Sequence, residues 1–144
     1  MLILGSFPSE ASLAARHYYA HRQNQFWRVL AAILGQPLVE AGYAAKKAAV
    51  KEARLAIWDV YASCEREGSL DTAIRAGEPN RFEKLRRLAP RLQRVCFNGR
   101  AAGKFGGSLA ALGYEVLVLP STSPANAGWS FERKLEAWRD ALTG

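Results

Sequence analysis

Cysteine and histidine are scarce in this chain, and long apolar runs are missing. Two cysteines, Cys64 and Cys96, and two histidines, His17 and His21, are all that it offers a zinc or iron ion. The thiols lie far apart, and no cysteine or carboxylate cluster flanks the histidines, so no metal and no other cofactor is expected. Each thiol is expected to be buried and reduced, in keeping with an intracellular, cytoplasmic protein. No apolar run approaches the ~18 residues that a membrane span needs. The opening Met1-Leu2-Ile3-Leu4-Gly5 is too short for a signal peptide and lacks a basic leader. Linkers, internal repeats and composition breaks are absent too, so residues 1–144 are read as one domain.

What is present is an apolar fraction of 49%, enough to bury a core, and a formal net charge of +7. The charge favours an anionic partner, nucleic acid first and a membrane surface second. Many small proteins are basic without such a partner, so charge alone leaves this open.

Short apolar runs alternate with helical stretches. Leu2–Leu4, Leu55–Val60, Val95–Phe97 and Val116–Leu119 have the short, β-branched or aromatic character of buried parallel strands. Phe26, Leu30, Ile33 and Leu34 fall on one helical face, which Gly35 ends. Asn80 and Glu83 suggest a capping box for a helix that buries Phe82, Leu85 and Leu88. Ser130 is placed to cap a last helix with the stripe Phe131, Leu135, Trp138 and Leu142. Ala41–Ala53 reads as a surface helix with Lys46, Lys47 and Lys51 on its solvated side. The alternation predicts an α/β fold, a three-layer α/β/α sandwich around a central four-stranded parallel sheet. Ligands of such sheets sit at the C-terminal strand ends. The loops of interest are therefore Gly5–Ser12, Tyr61–Ser69, Asn98–Gly107 and Pro120–Gly128, where Gly, Ser, Thr, Asn and Pro concentrate.

Four segments carry chemistry. Gly5-Ser6-Phe7-Pro8-Ser9 lets the chain turn and a ligand approach the backbone, or is simply a strand-to-helix turn with Ser9 as a cap. The stretch from Tyr18 to Trp27 is dense in aromatic and polar groups. A ring there can stack on a base, and Asn24 can bond a base edge or position a water. Asn24 serves equally well as an N-cap for the next helix, and Trp27 reads as core. Leu119–Ala127 offers hydroxyls and amides to phosphate oxygens on a stiff loop, or is an ordinary Ser/Pro surface loop. Phe97-Asn98-Gly99 ends a strand at the same edge, unless it is an ordinary Asn-Gly turn.

Taken together, LILGSFPS, SLAARHYYAHRQNQFW, IWDVYASCEREGSLD, FNG and LPSTSPANA resemble, in order and spacing, the uracil-DNA glycosylase superfamily. The resemblance covers nearly the whole chain and is closest to the hypoxanthine-DNA (deoxyinosine) glycosylase branch. Members of the family usually carry a short leader before the first strand, so Met1 need not be the natural start. Uracil branches place Asp or Asn in the first loop and often His or Asn before the Pro of the last loop. Phe7 and Leu119 stand at those positions here, which argues against a plain uracil enzyme.

The resemblance implies a monofunctional glycosylase that flips a deaminated base out of DNA and hydrolyses its bond to the sugar, leaving an abasic site. Hypoxanthine is the expected base, with uracil second. Asn24, for water placement or leaving-group bonding, and Asn98 are the residues that it ties to activity. Gly5, Ser6 and Phe7 would wall the pocket, and Tyr19 would stack the base. Ser121, Thr122, Ser123 and Asn126 would grip the strand. The implied partner is DNA containing deaminated bases, met by a monomer without a membrane. Asp59, closing the second strand, is a rival base, or only a structural hydrogen-bond partner. Other readings are a mismatch-specific uracil glycosylase and an inactive member that only binds nucleic acid. A third is an α/β protein outside repair whose Asn residues merely form turns.

Overall fold

A computed structural model of the chain describes residues 1–65 and 75–143. Side chains at 10, 62–65, 75, 76 and 78 are not described, so the expected burial of the Cys64 thiol lies outside the description. The four apolar runs form four strands: β1 (Leu2–Gly5), β2 (Ala56–Asp59), β5 (Arg94–Asn98) and β6 (Glu115–Leu119). They make one parallel sheet in the order β2-β1-β5-β6. Two further strands, β3 (Tyr61–Glu65) and β4 (Arg75–Pro79), pair antiparallel as a separate ribbon. The candidate loop Tyr61–Ser69 is thus a strand at its start, and its remainder lies outside the described residues. No apolar alternation marks this ribbon in the sequence.

Side chains alternate across the parallel sheet, as the pleat requires. Ile3 and Cys96 face one side; Leu2, Leu4, Val95 and Phe97 face the other. The first face is covered by α2 (Phe26–Leu34), α3 (Tyr43–Glu52) and α7 (Phe131–Thr143), which supply Phe26, Leu30, Val50 and Trp138. The second is covered by Phe82 of a 3-10 turn (Phe82–Lys84) and by α4 (Leu85–Leu88), α5 (Arg100–Gly103) and α6 (Gly106–Ala111). These are the three layers that the sequence predicts. Complete burial of a side chain such as Phe26 or Leu109 stabilises the fold by about 1.5–3 kcal/mol.

Helix limits follow local chemistry. Gly35 ends α2 in the left-handed region at φ 65°. The short α1 (Glu10–Ala15) starts on Ser9, whose Oγ accepts the Ser12 N–H. Ser130 Oγ accepts the Arg133 N–H at the start of α7. Three expectations fail. Asn80 caps no helix, because β2 captures it: its Nδ2 donates to Asp59 O (2.7 Å) and its N–H to Val60 O. The helix that follows is a single turn, too short for a buried stripe, and Leu88 is 67% exposed. On α3, Lys47 and Lys51 are exposed, but Lys46 is half-buried with its Nζ 5.2 Å from the Trp27 ring.

Candidate active site

Chain topology decides where a crevice opens. From β1 the chain runs through α1, α2 and α3 to β2, on one side of β1. From β5 it runs through α5 and α6 to β6, in the other direction. The connections diverge between β1 and β5, and ligands bind above such a switch point at the C-terminal strand ends. A cavity of about 430 Å³ lies there. Gly5, Asp59 and Asn98, which close β1, β2 and β5, line it together with Ser121 and Thr122 just beyond β6.

Two segments complete its walls, and a buried tryptophan anchors each. Trp138 Nε1 donates to Pro120 O (2.9 Å), holding the loop after β6. Trp27 Nε1 donates to Tyr18 O (3.0 Å), holding the segment between α1 and α2. An indole satisfies its single N–H while its rings stay in the core, so each loop backbone is fixed to the packed interior. The two segments also join directly, through the Gln25 N–H and Thr122 O (2.9 Å). Lys134 of α7 is buried and its Nζ donates to Gln25 Oε1 (3.0 Å). Burial lowers the pKa of this ammonium.

Asn24 and Asn98 line the same cavity, bridged by Thr122. Asn98 Nδ2 donates to Thr122 Oγ1 (3.0 Å), and the Thr122 N–H donates back to Asn98 Oδ1 (3.0 Å). The Thr122 hydroxyl then donates to Asn24 Oδ1 (2.8 Å). That oxygen also accepts the Phe26 N–H (2.9 Å). A carbonyl oxygen has two lone pairs, so Asn24 Oδ1 is fully engaged. The orientation of the amide is thereby set, and Nδ2 remains the group that it can present to the cavity. Gln25 stands at the N-cap position of α2, so Asn24 is not the cap itself; its oxygen holds the first helical N–H while its Nδ2 is left for the cavity. Gly99, after Asn98, takes φ 94°, and a side chain there would press on Ser121 Cβ. The turn-forming and site readings of Asn98-Gly99 therefore coexist.

Tyr19 sits in the left-handed region at φ 55°, an uncommon conformation for a bulky residue. Its ring stacks on Phe26 (centroids 4.0 Å apart, 21° between planes), and Phe26 meets Trp138 edge-on. The cavity floor thus rests on the core. A Cβ at Gly5 would lie 3.0 Å from the Tyr19 hydroxyl and 3.1 Å from Asp59 Oδ1, so a side chain at the end of β1 would press both groups outward by a few tenths of an ångström.

Of the residues singled out from the sequence, Gly5, Ser6, Phe7, Tyr19, Asn24, Asn98, Ser121, Thr122 and Ser123 all border this cavity. Asn126 does not. Its Nδ2 donates to Ser121 O (3.1 Å) and braces the loop from within. Thr122 is 0% exposed with its hydroxyl spent between two amides, so it positions the site and has no surface to offer a phosphate. Leu119 packs into the core. Ser12, Tyr18 and His21 also line the cavity and were not given site roles from the sequence. Ser12 Oγ accepts the Ala20 N–H (3.0 Å), a partner that no spacing rule reveals. Tyr18 is pushed up to about 12 by burial, by the charge of Asp59, by Tyr43 and by its hydrogen bond to Asp59. Among the described residues no cluster of His, Cys, Asp and Glu could hold a metal ion, and no helix is long and apolar enough to cross a membrane.

Comparison with known proteins agrees over the full length. The model of the uracil DNA glycosylase superfamily matches residues 1–142. The chain is 41% identical over 136 residues to a hypoxanthine DNA glycosylase of Methanosarcina acetivorans, covering 94% of this chain and 86% of that one. It is 39% identical over 142 residues to a hypoxanthine DNA glycosylase of Methanosarcina barkeri, covering 99% and 89%. Its fold is similar to the solution NMR structure of a uracil DNA glycosylase candidate from Methanosarcina acetivorans. That similarity has a TM-score of 0.88 at 40% identity and covers 98% of this chain and 87% of that one.

Proposed function

Because the chain belongs to the uracil DNA glycosylase superfamily, we propose that it is a monofunctional DNA glycosylase of base excision repair acting on hypoxanthine, with uracil second. It would act as a cytoplasmic monomer. A base within a duplex cannot be reached, so the nucleotide must leave the stack, at a cost of a few kcal/mol. A mispaired deaminated base costs less, which contributes to selectivity. The cavity above β1 and β5 would receive it, one face on the Tyr19 ring and its edges towards Asn24 and Asn98.

The observation that carries this reading is the directed hydrogen-bond chain Asn98 to Thr122 to Asn24. As the glycosidic bond breaks, the electron pair departs with the base. A fixed donor aimed at that developing charge lowers the barrier, by about 2.7–4 kcal/mol for an oxyanion-type donor. With its oxygen engaged twice, Asn24 is left with Nδ2 as that donor, so its part is to bond the leaving base and not the water. Asn98 holds the chain in register and has a second Nδ2 hydrogen for the base. Ser121 and Ser123 would meet the strand, with Asn126 stiffening their loop.

The test is a panel of labelled oligonucleotides carrying inosine, uracil or a G·T mispair, incubated with the protein and then cleaved with hot alkali. Cleavage at inosine supports the assignment. Cleavage at uracil alone moves the substrate, and binding without any cleavage removes the catalytic reading.

A further inference from the structure

If Asn24 serves the leaving base, the attacking water needs an acceptor elsewhere. The cavity has few to spare. Asn98 Oδ1 accepts the Thr122 N–H and keeps a second lone pair, but a neutral amide can hold a water without taking its proton. His21 Nδ1 accepts the Gln23 N–H (3.2 Å), so that nitrogen is not open to a water. No lysine, arginine or glutamate lines the cavity among the described residues, and Asp59 is its one carboxylate.

Asp59 is firmly held. Its residue pairs with Gly5 in the β1–β2 register, and its carbonyl accepts Asn80 Nδ2 (2.7 Å). The adjoining Val60 N–H donates to Gly5 O (2.7 Å). The residue is 8% exposed, and its carboxylate is on the cavity wall beside Gly5. The Tyr18 hydroxyl hydrogen-bonds to it, and this phenol stays protonated across the working range of pH.

We propose that Asp59 is the catalytic base of this site: its carboxylate holds the attacking water and takes its proton. The assignment rests on the glycosylase reading above. The C1′–N bond breaks and its electron pair leaves with the base, which Asn24 Nδ2 bonds. Positive charge builds on the sugar beside the carboxylate. A C1′–O bond forms to the water, whose proton passes to Asp59, and the departing base is protonated from solvent. No oxidant, reductant or further reactant is needed.

Asp59→Asn removes the charge while keeping an oxygen for Tyr18. Single-turnover excision from an inosine duplex, with enzyme in excess, should slow by ~100-fold or more, the scale of a lost general base. Affinity for a duplex carrying a tetrahydrofuran abasic analogue, read by fluorescence anisotropy, should stay within about threefold, since general-base loss touches the chemical step. Tyr18→Phe, which takes one hydrogen bond from the carboxylate and leaves its charge, should slow excision by a smaller factor than Asp59→Asn does. An Asp59→Asn enzyme as fast as wild type overturns the assignment. So does a Tyr18→Phe enzyme as slow as Asp59→Asn, because Asp59 would then only anchor that ring. Wild-type inactivity on every deaminated base is a different failure, that of the glycosylase reading itself. Should Asp59→Asn melt below the assay temperature, the pH profile takes its place. The other titratable groups that line the cavity with Asp59 are Tyr18, Tyr19 and His21. The wild-type rate should fall on the acid side as one carboxylate protonates, and His21→Gln should keep that limb. Loss of the limb in His21→Gln assigns the base to His21 and overturns the proposal.

Discussion

The two faces of the sheet are built differently, and the candidate site belongs to one of them. The face under α2 and α7 carries regular helices of 9 and 13 residues and a stack of large rings, Tyr19 on Phe26 against Trp138. The face under α4, α5 and α6 carries helices of 4, 4 and 6 residues around Phe82, Phe97 and Leu109. The first stack continues upward into the cavity floor, and its tryptophans hold both cavity loops by their carbonyls. The second buries apolar area around Phe82, Phe97 and Leu109 and meets the cavity through the strands. A core can therefore be functional on one side and only stabilising on the other.

The largest expected effect lies at the meeting of core and cavity. Asn24→Ala should slow single-turnover excision by ~100- to 1000-fold, the scale of a lost charge-stabilising donor. DNA affinity should hold within several-fold. The lost hydrogen bond to the Phe26 N–H should cost about 1 kcal/mol in a thermal melt. Full activity would leave Asn24 as a support for the start of α2 alone.

Leu109→Ala sharpens the contrast from the other face. It should lower stability by ~2–5 kcal/mol through an unfilled cavity. Where the protein is still folded, excision should be within twofold of wild type, since Leu109 packs in the cluster on the opposite face of the sheet from Tyr19 and Phe26. A large loss of rate would break the division between faces.

Thr122→Val comes next, keeping the shape and removing the hydroxyl. It leaves two amides short of a partner, at ~1–3 kcal/mol each at most. The excision rate should fall by about tenfold, one tenfold step per 1.4 kcal/mol, and Thr122→Ser should restore it.

The smallest effect is on alkaline stability. Tyr18 is raised in the fold from 10.0 to about 12, so the folded state keeps its proton longer than the unfolded one. That contribution is complete below pH 10 and is lost as pH rises from 10 towards 12. Denaturant midpoints measured across this window should fall, and Tyr18→Phe should flatten the decline. An unchanged slope in the variant would place the titrating group elsewhere.

Much of this was legible without coordinates. The strands announced themselves because a parallel sheet is buried on both faces, so runs such as Val95–Phe97 must be apolar. Helices α2 and α7 were readable because each has one dry side. The loops at strand ends were readable because turns need Gly, Ser, Asn and Pro. The β3–β4 ribbon and the short helices were not, since neither imposes a period long enough to detect. Asn80 misled because its local pattern suits a cap while a distant carbonyl competes for its amide.

The sequence by itself determined the layer order, the sheet edge that carries ligand chemistry and the residues gathered there. All of these rest on periodicity and on residues whose conformational needs are local. Only the tertiary structure decided how each polar atom is spent. Thr122 meets Asn24 across 98 positions of chain and so turns its oxygen inward. Tyr18 likewise reaches Asp59 from a different element. Hydrogen-bond capacity is written in each residue, but the partner that uses it is fixed by packing between distant segments, which local spacing does not encode.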